Sequence, residues 1–150
     1  MEPHFVESVR TELPVPDGKV RLFSEEDYGE LKQWWAGHKV RPVPLDRLPR
    51  GSGFGLMVPG LAAVFLYETG HAIGFIGNMV SNPDASKREV NAALDRLVYD
   101  LLWLAKERGI EIVQGDTTSV PVARRARKHG FHVKRGWCLS IEREYVKRGQ

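Results

Sequence analysis

The sequence predicts an α/β domain with a central mixed, mostly antiparallel sheet that is flanked by helices. Three strand-like runs, at residues 54–58, 61–68 and 72–80, are joined by turns so short that the strands must be antiparallel. A long amphipathic helix pattern spans residues 86–109, and a strand-like run at 110–114 follows it. The order strand, helix, strand predicts parallel neighbours with a right-handed crossover around the long helix.

Chain length and composition are those of one globular domain. The 150 residues suffice for a core, and 42% hydrophobic with 27% charged residues excludes the disordered and fibrous classes. We predict a single domain over residues 1–150, in which residues 1–17, with three prolines and no clear period, form an N-terminal arm. No apolar run reaches the ~20 residues of a membrane span, and acidic residues stand where a signal peptide would be basic or apolar. We therefore expect a cytoplasmic location without membrane contact.

Cysteine and histidine usage gives no sign of a metal site. Cys138 is the single cysteine, which excludes an internal disulfide and a multi-cysteine metal site, and we interpret it as an inert strand thiol. No two of the five histidines are spaced as metal ligands. The net charge of +3 is too small to indicate a nucleic-acid partner by itself.

The first part of the chain predicts a strand, a helix and a loop. Residues 19–23 alternate like a half-buried strand, and Ser24 is placed to cap a helix whose first turn is acidic. Its apolar stripe includes Trp34 and Trp35, which we interpret as core residues rather than a base-stacking platform, and Gly37 ends it. Residues 38–53 are basic and rich in proline, which predicts a functional or mobile loop with at most one helical turn.

The long helix has start and stop signals and a wide apolar stripe. Ser86 and Glu89 form a capping-box pattern, and Gly109 is a C-terminal stop. The stripe covers about half the circumference, so we expect the helix to lie flat on a sheet. Tyr99 and Trp103 fall on the opposite side, among Arg96 and Glu107. They are a lone surface pair, a pair packed beneath a loop, or a contact patch for a partner or a homodimer.

The last part of the chain predicts a helix from Pro121 to Gly130 and then strands at residues 132–134 and 137–144. In the second strand, Trp137, Leu139 and Ile141 share one face. There is no carboxylate between Thr117 and Ile141, and such a surface attracts the phosphates of a cofactor or a polynucleotide. The cations of this run are Arg124, Arg125, Arg127, Lys128, Lys134 and Arg135.

The element order and two segments resemble the GNAT superfamily of N-acetyltransferases. The segments are SNPDASKREVNAALDRL, at the family's strand–turn–helix, and SVPVARRARKHGF, at the segment that ends in Gly-Phe. The resemblance extends from Lys19 to about Glu144. It implies that acetyl-coenzyme A lies in a V between the fourth and fifth strands, with its pyrophosphate on the amides of the turn that opens the long helix.

This resemblance implies a set of cofactor-binding residues. The family's Arg/Gln-x-x-Gly-x-Gly/Ala turn aligns with residues 86–91, where neither glycine is kept and Glu89 replaces the first. A glycine lets phosphate approach the backbone, whereas here Lys87 and Arg88 bring two cations to the same turn. The implied cofactor-binding residues are Met79, Val80, Ser81, Ser86, Lys87, Arg88, Glu89, Val90, Asn91, Ser119, Arg124 and Arg125.

The implied catalytic residues are Asp116 and Ser119. Ser119 stands where the family often has a cofactor-contacting asparagine, and Thr117 or Thr118 could donate a hydrogen bond as well. The family often has a tyrosine acid four residues before the Gly-Phe glycine, where this chain has Ala126. The candidates for the base are Asp116 and Glu68. The alternative interpretation of each is an ordinary solvated acid in a turn.

Three functions remain open from the sequence. The first is an acyltransferase that moves an acetyl group from acetyl-coenzyme A to a primary amine on a small molecule or a protein, with the loop 38–53 shaping the acceptor site. The second is a non-catalytic adaptor or inhibitor of the same fold, for example from a bacteriophage. The third is nucleic-acid binding through the basic face of residues 124–135, which no recognised motif supports. The first requires two strands that diverge beside Ser86, with Glu89 outside the opening.

Overall fold

A computed structural model describes residues 20–49, 53–135 and 139–144 of the chain. The predictions for residues 1–17, Trp137 and Cys138 therefore lie outside the described residues. The strands are β1 (Arg21–Leu22), β2 (Gly53–Val58), β3 (Ala62–Glu68), β4 (Ile73–Ser81), β5 (Ile112–Thr117), β6 (His132–Arg135) and β7 (Leu139–Glu144). The helices are α1 (Tyr28–Gly37), α2 (Lys87–Glu107) and α3 (Val120–Lys128), with 3₁₀ turns at Glu25–Asp27 and Leu45–Arg47.

The strands form one sheet in the order β1-β2-β3-β4-β5-β7-β6. Every neighbouring pair is antiparallel except β4 and β5, which are parallel and joined by α2. The fold class predicted from the sequence is confirmed. The last strand, β7, lies between β5 and β6, so the C-terminal hairpin completes the sheet next to the parallel pair.

Each face of the sheet carries its own hydrophobic core. On one side α2 lies flat, as its wide stripe predicts, and Leu97 and Leu101 pack fully buried against β2, β3 and β4. On the other side α1 buries Leu31, Trp34 and Trp35 against the sheet. The two tryptophans are only 4% and 5% exposed, so they are core residues and offer no stacking surface.

Strands β4 and β5 diverge after a short paired stretch. Their register pairs are Ile73 with Ile112, Gly74 with Val113 and Phe75 with Gln114, and pairing ends there. Beyond this point β4 follows β3 while β5 follows β7. A register shift opposite Ala63–Phe65 places a bulge in β4, where Asn78 has a φ of 55°. The V expected between these strands is therefore present.

Several details differ from the sequence prediction. Strand β5 continues to Thr117, so Asp116 lies within the strand rather than beyond it. Arg96 is buried instead of facing solvent, and its Nε lies 3.3 Å from Asp100 Oδ2. Tyr99 and Trp103 are half-buried, and a contact with a partner or a homodimer through them stays a prediction. Among the described residues, no helix has both the length and the apolar character that crossing a bilayer requires.

Candidate functional site

The N-terminus of α2 opens beside the end of β4 and presents unpaired amides. Ser86 Oγ accepts a hydrogen bond from the Glu89 amide at 3.2 Å, and Val90 donates to the Ser86 carbonyl at 3.0 Å. The amides of Lys87 and Arg88 have no acceptor in the described part of the chain. Since the helix dipole also favours negative charge at this end, the turn can bind an anion.

Glu89 lies over the helix cap and outside the opening. Ser86 Oγ donates to Glu89 Oε1 at 3.2 Å, which holds the carboxylate on the exposed side of the cap. The predicted capping box is therefore formed in part, because the glutamate binds the serine hydroxyl instead of its backbone amide. The negative charge of Glu89 still lies within one helical turn of any anion that binds at this helix end.

A cleft of about 460 Å³, the front cleft, lies between the end of β4 and the starts of α2 and α3. Lys87 and Arg125 line it and no carboxylate does, so its charge suits an anionic ligand. Six residues predicted from the sequence contribute to its wall: Met79, Ser81, Lys87, Val90, Asn91 and Arg125. Sequence reasoning missed His38, Asn82, Pro83, Ala85, Leu94, Pro121 and Val122, although the turn before α2 and the proline in the first turn of α3 marked two of these segments.

Other predicted residues lie outside the front cleft. Val80 is buried in the core on the α1 face, and Arg88 and Arg124 are exposed beside the cleft. Ser119 caps α3, since its hydroxyl accepts from the Val122 amide at 3.3 Å and its own amide donates to Thr117 Oγ1 at 2.9 Å. The Ser119 hydroxyl thus fixes the start of α3 and lines no described cleft.

Asp95 on α2 holds α3 in place through three side chains, which we call the Asp95 clasp. Arg125 Nη1 lies 2.8 Å from Asp95 Oδ1, Lys128 Nζ 2.8 Å from Oδ2, and His129 Nε2 3.0 Å from Oδ1. Arg125 also donates to the backbone and side-chain oxygens of Asn91, at 3.2 and 2.9 Å. The guanidinium of Arg125 is therefore fixed at the wall of the front cleft before any ligand binds.

The clasp shifts the ionisation of two of its members. Burial raises the pKa of Asp95, but hydrogen bonds from Lys128 and His129 and the Arg125 charge outweigh it and hold this pKa below its ordinary value. Burial lowers the pKa of His129, and the nearby carboxylate offsets this only in part. The imidazole is consequently neutral at pH 7 and donates to Asp95 as an uncharged ring.

The basic run does not form one uniform face. Arg125 and Lys128 bind Asp95, whereas Arg124, Arg127 and Lys134 are exposed. The nucleic-acid interpretation invoked the basic face of residues 124–135, and it stays a prediction. Two of its cations, Arg125 and Lys128, instead pair with Asp95 between α2 and α3.

A second cleft, of about 240 Å³, lies on the α1 face of the sheet, and we call it the rear cleft. A Cβ on Gly77 would lie 3.8 Å from the Phe75 ring and 3.9 Å from the Tyr67 ring, which places Phe75 on the face that Tyr67 shares with α1. Asp116, predicted as a base, lines this cleft. Sequence reasoning missed its other polar residues, Gln114, His132 and Lys134, although their period of two within β5 and β6 was a readable signal.

A narrow apolar neck lies between the two clefts. It has a volume of about 20 Å³, shares Met79, Val122 and Arg125 with the front cleft, and shares Ile141 with the rear cleft. Ala126 lines this neck, so no tyrosine hydroxyl is present there. The neck thus adjoins both clefts.

Tyr67 fastens the loop of residues 38–49 to the rear face. Its hydroxyl donates to the Arg47 carbonyl at 2.9 Å and accepts from Asn78 Nδ2 at 2.6 Å. Burial raises the pKa of Tyr67, which makes it a poor acid. The Tyr28 hydroxyl binds the Val43 carbonyl of the same loop at 2.7 Å. These contacts hold the loop against the α1 face of the sheet, and its role in shaping an acceptor site stays a prediction.

Glu68, the alternative base, lies at the paired end of β4 and β5. It is opposite Gly74 in the β3–β4 register, and Arg108 Nη1 lies 2.6 Å from its Oε2. The V opens at the other end of these strands. Asp116 is therefore the better placed of the two carboxylates.

Solved structures with the same architecture are acetyltransferases. A GNAT-family acetyltransferase from Staphylococcus aureus superposes with a TM-score of 0.68 at 9% identity, over 85% of this chain and 99% of that one. The aminoglycoside 6'-N-acetyltransferase from Enterococcus faecium gives 0.68 at 12% identity, over 88% and 99%. A Bacillus subtilis acetyltransferase in complex with CoA gives 0.60 at 14% identity, over 85% and 99%.

These matches establish a relationship in fold. No protein-family profile matches the chain, and a comparison with curated proteins found no match. The chain nevertheless has the GNAT acetyltransferase fold, as the two sequence segments suggested, at an identity of 9–14% to its structural neighbours. At this distance the likeness shows the fold, and function has to be argued from the site.

Proposed function

We propose that this protein transfers an acetyl group from acetyl-CoA to a primary amine. The observation that carries the proposal is the V between β4 and β5, which opens beside the unpaired amides of α2 and has a cleft on each face of the sheet. Such an arrangement holds two reactants on opposite sides of one gap, which converts their encounter into a positioned reaction. An acetyl-CoA-dependent reaction also suits the cytoplasm, where we expect the protein.

The donor set of the front cleft fits acetyl-CoA. The amides of Lys87 and Arg88 and the Lys87 ammonium suit a pyrophosphate, and Arg125 is held at the wall by Asn91 and Asp95. Arg124, exposed on the first turns of α3, would reach the adenosine phosphate. The bound cofactor supplies an activated acyl group as a thioester. The Bacillus subtilis neighbour was solved with CoA, which agrees with this assignment.

Asp116 is the proposed base of the reaction. From the rear cleft its carboxylate accepts a proton from the acceptor's ammonium group, which frees the nitrogen lone pair for attack. The new carbon–nitrogen bond would replace the carbon–sulfur bond of the thioester. The nitrogen would lose its second proton to solvent as the amide forms, and the sulfur would gain a proton and leave as a thiol. Because Ala126 leaves the neck without a hydroxyl and the Ser119 hydroxyl lines no described cleft, the proton for the sulfur would come from solvent.

Calorimetric titration with acetyl-CoA tests the cofactor assignment. We expect saturable binding by the natural protein and its loss in the double variant Lys87→Glu with Arg88→Glu, because both cations of the α2 turn are reversed. The matched control is Lys32→Glu with Arg127→Glu, which makes the same charge change at exposed positions outside the front cleft. Binding that is absent from the natural protein at millimolar ligand would favour the non-catalytic adaptor or inhibitor instead.

A further inference from the structure

We propose that the acceptor carries an apolar group close to its amine, and that Gly77 on β4 leaves the space in which this group binds. The inference rests on the proposed function and concerns the acceptor side of the V. Gly77 lies in the middle of β4 and is partly exposed. Glycine weakens the interior of a strand, and one of the features it marks there is the close approach of a ligand to the backbone.

Packing against neighbouring residues does not require a glycine at position 77. A Cβ would lie 3.0 Å or less from a neighbouring atom at each of the other glycines in the described strands, namely Gly53, Gly55, Gly74 and Gly115. At position 77 the nearest atoms would be Cε2 of Phe75 at 3.8 Å and Cε1 of Tyr67 at 3.9 Å. These are ordinary van der Waals distances, so a side chain would fit there without displacing a neighbour.

The backbone conformation does not require a glycine at this position either. The residue of the β4 bulge with a positive φ is Asn78, at 55°, and Gly77 is not among the described glycines with a positive φ. An alanine would also cost less conformational entropy on folding. Neither the packing nor the backbone of the described residues therefore accounts for this glycine, and its missing side chain leaves space on the α1 face of β4.

The space at Gly77 lies beside the gap between β4 and β5. The last register pair of these strands is Phe75 with Gln114, so Gly77 comes two residues after the pairing ends. Residues two apart in a strand share a face, and Phe75 lines the rear cleft. An amine that enters the rear cleft and extends toward the V therefore passes Gly77.

Two aromatic rings border this space. The Phe75 side chain is 39% exposed, and the Tyr67 ring is held in place because its hydroxyl binds the Arg47 carbonyl and Asn78 Nδ2. A carbon atom at the position of the missing Cβ would contact both rings. A hydrocarbon or aromatic group gains free energy by leaving water for such a surface, whereas an ether or hydroxyl oxygen would lose water without gaining a hydrogen bond from either ring.

The test compares 2-phenylethylamine with 2-methoxyethylamine, using the full chain and acetyl-CoA and measuring the release of free thiol. The two amines have similar basicity and differ only in the group on the second carbon. We expect kcat/KM for 2-phenylethylamine to exceed that for 2-methoxyethylamine about tenfold, as burial of about half of a phenyl group predicts. Equal or better use of 2-methoxyethylamine would overturn the inference.

Variants at position 77 connect this preference to the missing side chain. Gly77→Val should abolish the preference and Gly77→Ala should reduce it, because the added carbons occupy the space of the acceptor's apolar group. Gly29→Ala is the matched control, since a Cβ at that position of α1 meets nothing within 4 Å. Full preference in Gly77→Val, or in Gly77→Ala if the valine variant does not fold, would contradict the assignment.

Calorimetry with acetyl-CoA separates this inference from the cofactor assignment. The affinity should be the same in the natural protein, in the Gly77 variants and in Gly29→Ala. A fall in affinity that is confined to the Gly77 variants would place their effect on the cofactor and overturn the inference.

A binding measurement keeps the inference testable without turnover. If neither amine is acetylated, saturation-transfer NMR in the presence of CoA measures the binding of 2-phenylethylamine directly. Saturation that is present in the natural protein and in Gly29→Ala but weaker in Gly77→Ala supports the inference. Equal saturation in the three proteins, or none in the natural one, overturns it.

Discussion

Gly115 lies against Ile76 at the point where β4 and β5 begin to diverge. A Cβ at position 115 would come within 2.9 Å of Ile76 Cγ2 and 3.0 Å of the Ile76 carbonyl oxygen. The missing side chain therefore allows the two strands to approach closely at the base of the V. The contact comes one residue after the last register pair of the two strands, Phe75 with Gln114.

Gly115→Ala should accordingly destabilise the protein. The added methyl group meets backbone as well as a side chain, so we expect a loss of about 1–3 kcal/mol in the free energy of unfolding, measured by urea denaturation. Gly77→Ala is the control, since a Cβ there meets nothing closer than 3.8 Å. Equal stability of Gly115→Ala and the natural protein would show that β4 yields easily at this point.

Glu89 should weaken cofactor binding. Its carboxylate stands one turn from the amides of Lys87 and Arg88, so it repels a phosphate placed there. Glu89→Gln keeps a similar shape without the charge, and we expect acetyl-CoA affinity to rise about threefold in calorimetry at low salt. Glu107→Gln, at the opposite end of α2, controls for net charge. Unchanged or lower affinity in Glu89→Gln would mean that the carboxylate does not act on the bound anion.

The Asp95 clasp should contribute both stability and affinity. Asp95→Asn leaves Arg125 and Lys128 without their carboxylate, and we expect a loss of about 2 kcal/mol in the free energy of unfolding. Acetyl-CoA affinity should fall as well, because Arg125 is no longer fixed at the front cleft. Asp84→Asn, which changes an exposed acid just before α2, is the control. If Asp95→Asn keeps the stability and the acetyl-CoA affinity of the natural protein, the clasp contributes to neither.

Acid should loosen the same clasp. The His129 pKa is lowered from its ordinary 6.5, so the unfolded chain binds this proton more readily than the folded one. The stabilising contribution is complete above pH 6.5 and is lost as the pH falls below it. The Asp95 pKa is lowered from 3.8, so its contribution is lost only in stronger acid. Urea unfolding between pH 8 and 5 should show a smaller loss for His129→Gln than for the natural chain; parallel profiles would contradict this.

Short sequence patterns predicted the helices and strands, whereas contacts between residues far apart in the chain could not be predicted from the sequence. Ser86, Glu89 and Gly109 marked the ends of α2 because capping is decided within a few residues. The insertion of β7 between β5 and β6 is set by pairing across the sheet, and no local pattern encodes it. The burial of Arg96 was missed because helical periodicity does not show which other segments cover a helix.

The candidate site shows the same division between features that are local in sequence and contacts between distant residues. The front cleft followed from a strand end, a capped helix and two cations, all of which are neighbours in sequence. The bonds to Asp95 join residues 30 to 34 positions apart, so the sequence showed the cations of α3 but not their partner. Lys134 was likewise counted in a basic run, while the fold places it in another cleft, which Asp116 also lines.

Tyr67 should act on the acceptor and not on the cofactor. Tyr67→Phe keeps the ring but removes the bonds to the Arg47 carbonyl and to Asn78, so the loop of residues 38–49 loses one of its attachments to the rear face. We expect KM for the acceptor amine to rise about tenfold, as loss of two hydrogen bonds predicts, while acetyl-CoA affinity stays unchanged. Tyr28→Phe, which frees the same loop at Val43, should have a smaller effect because its contact does not involve the β4 bulge. A fall in kcat with unchanged KM would instead place the Tyr67 hydroxyl in the chemical step.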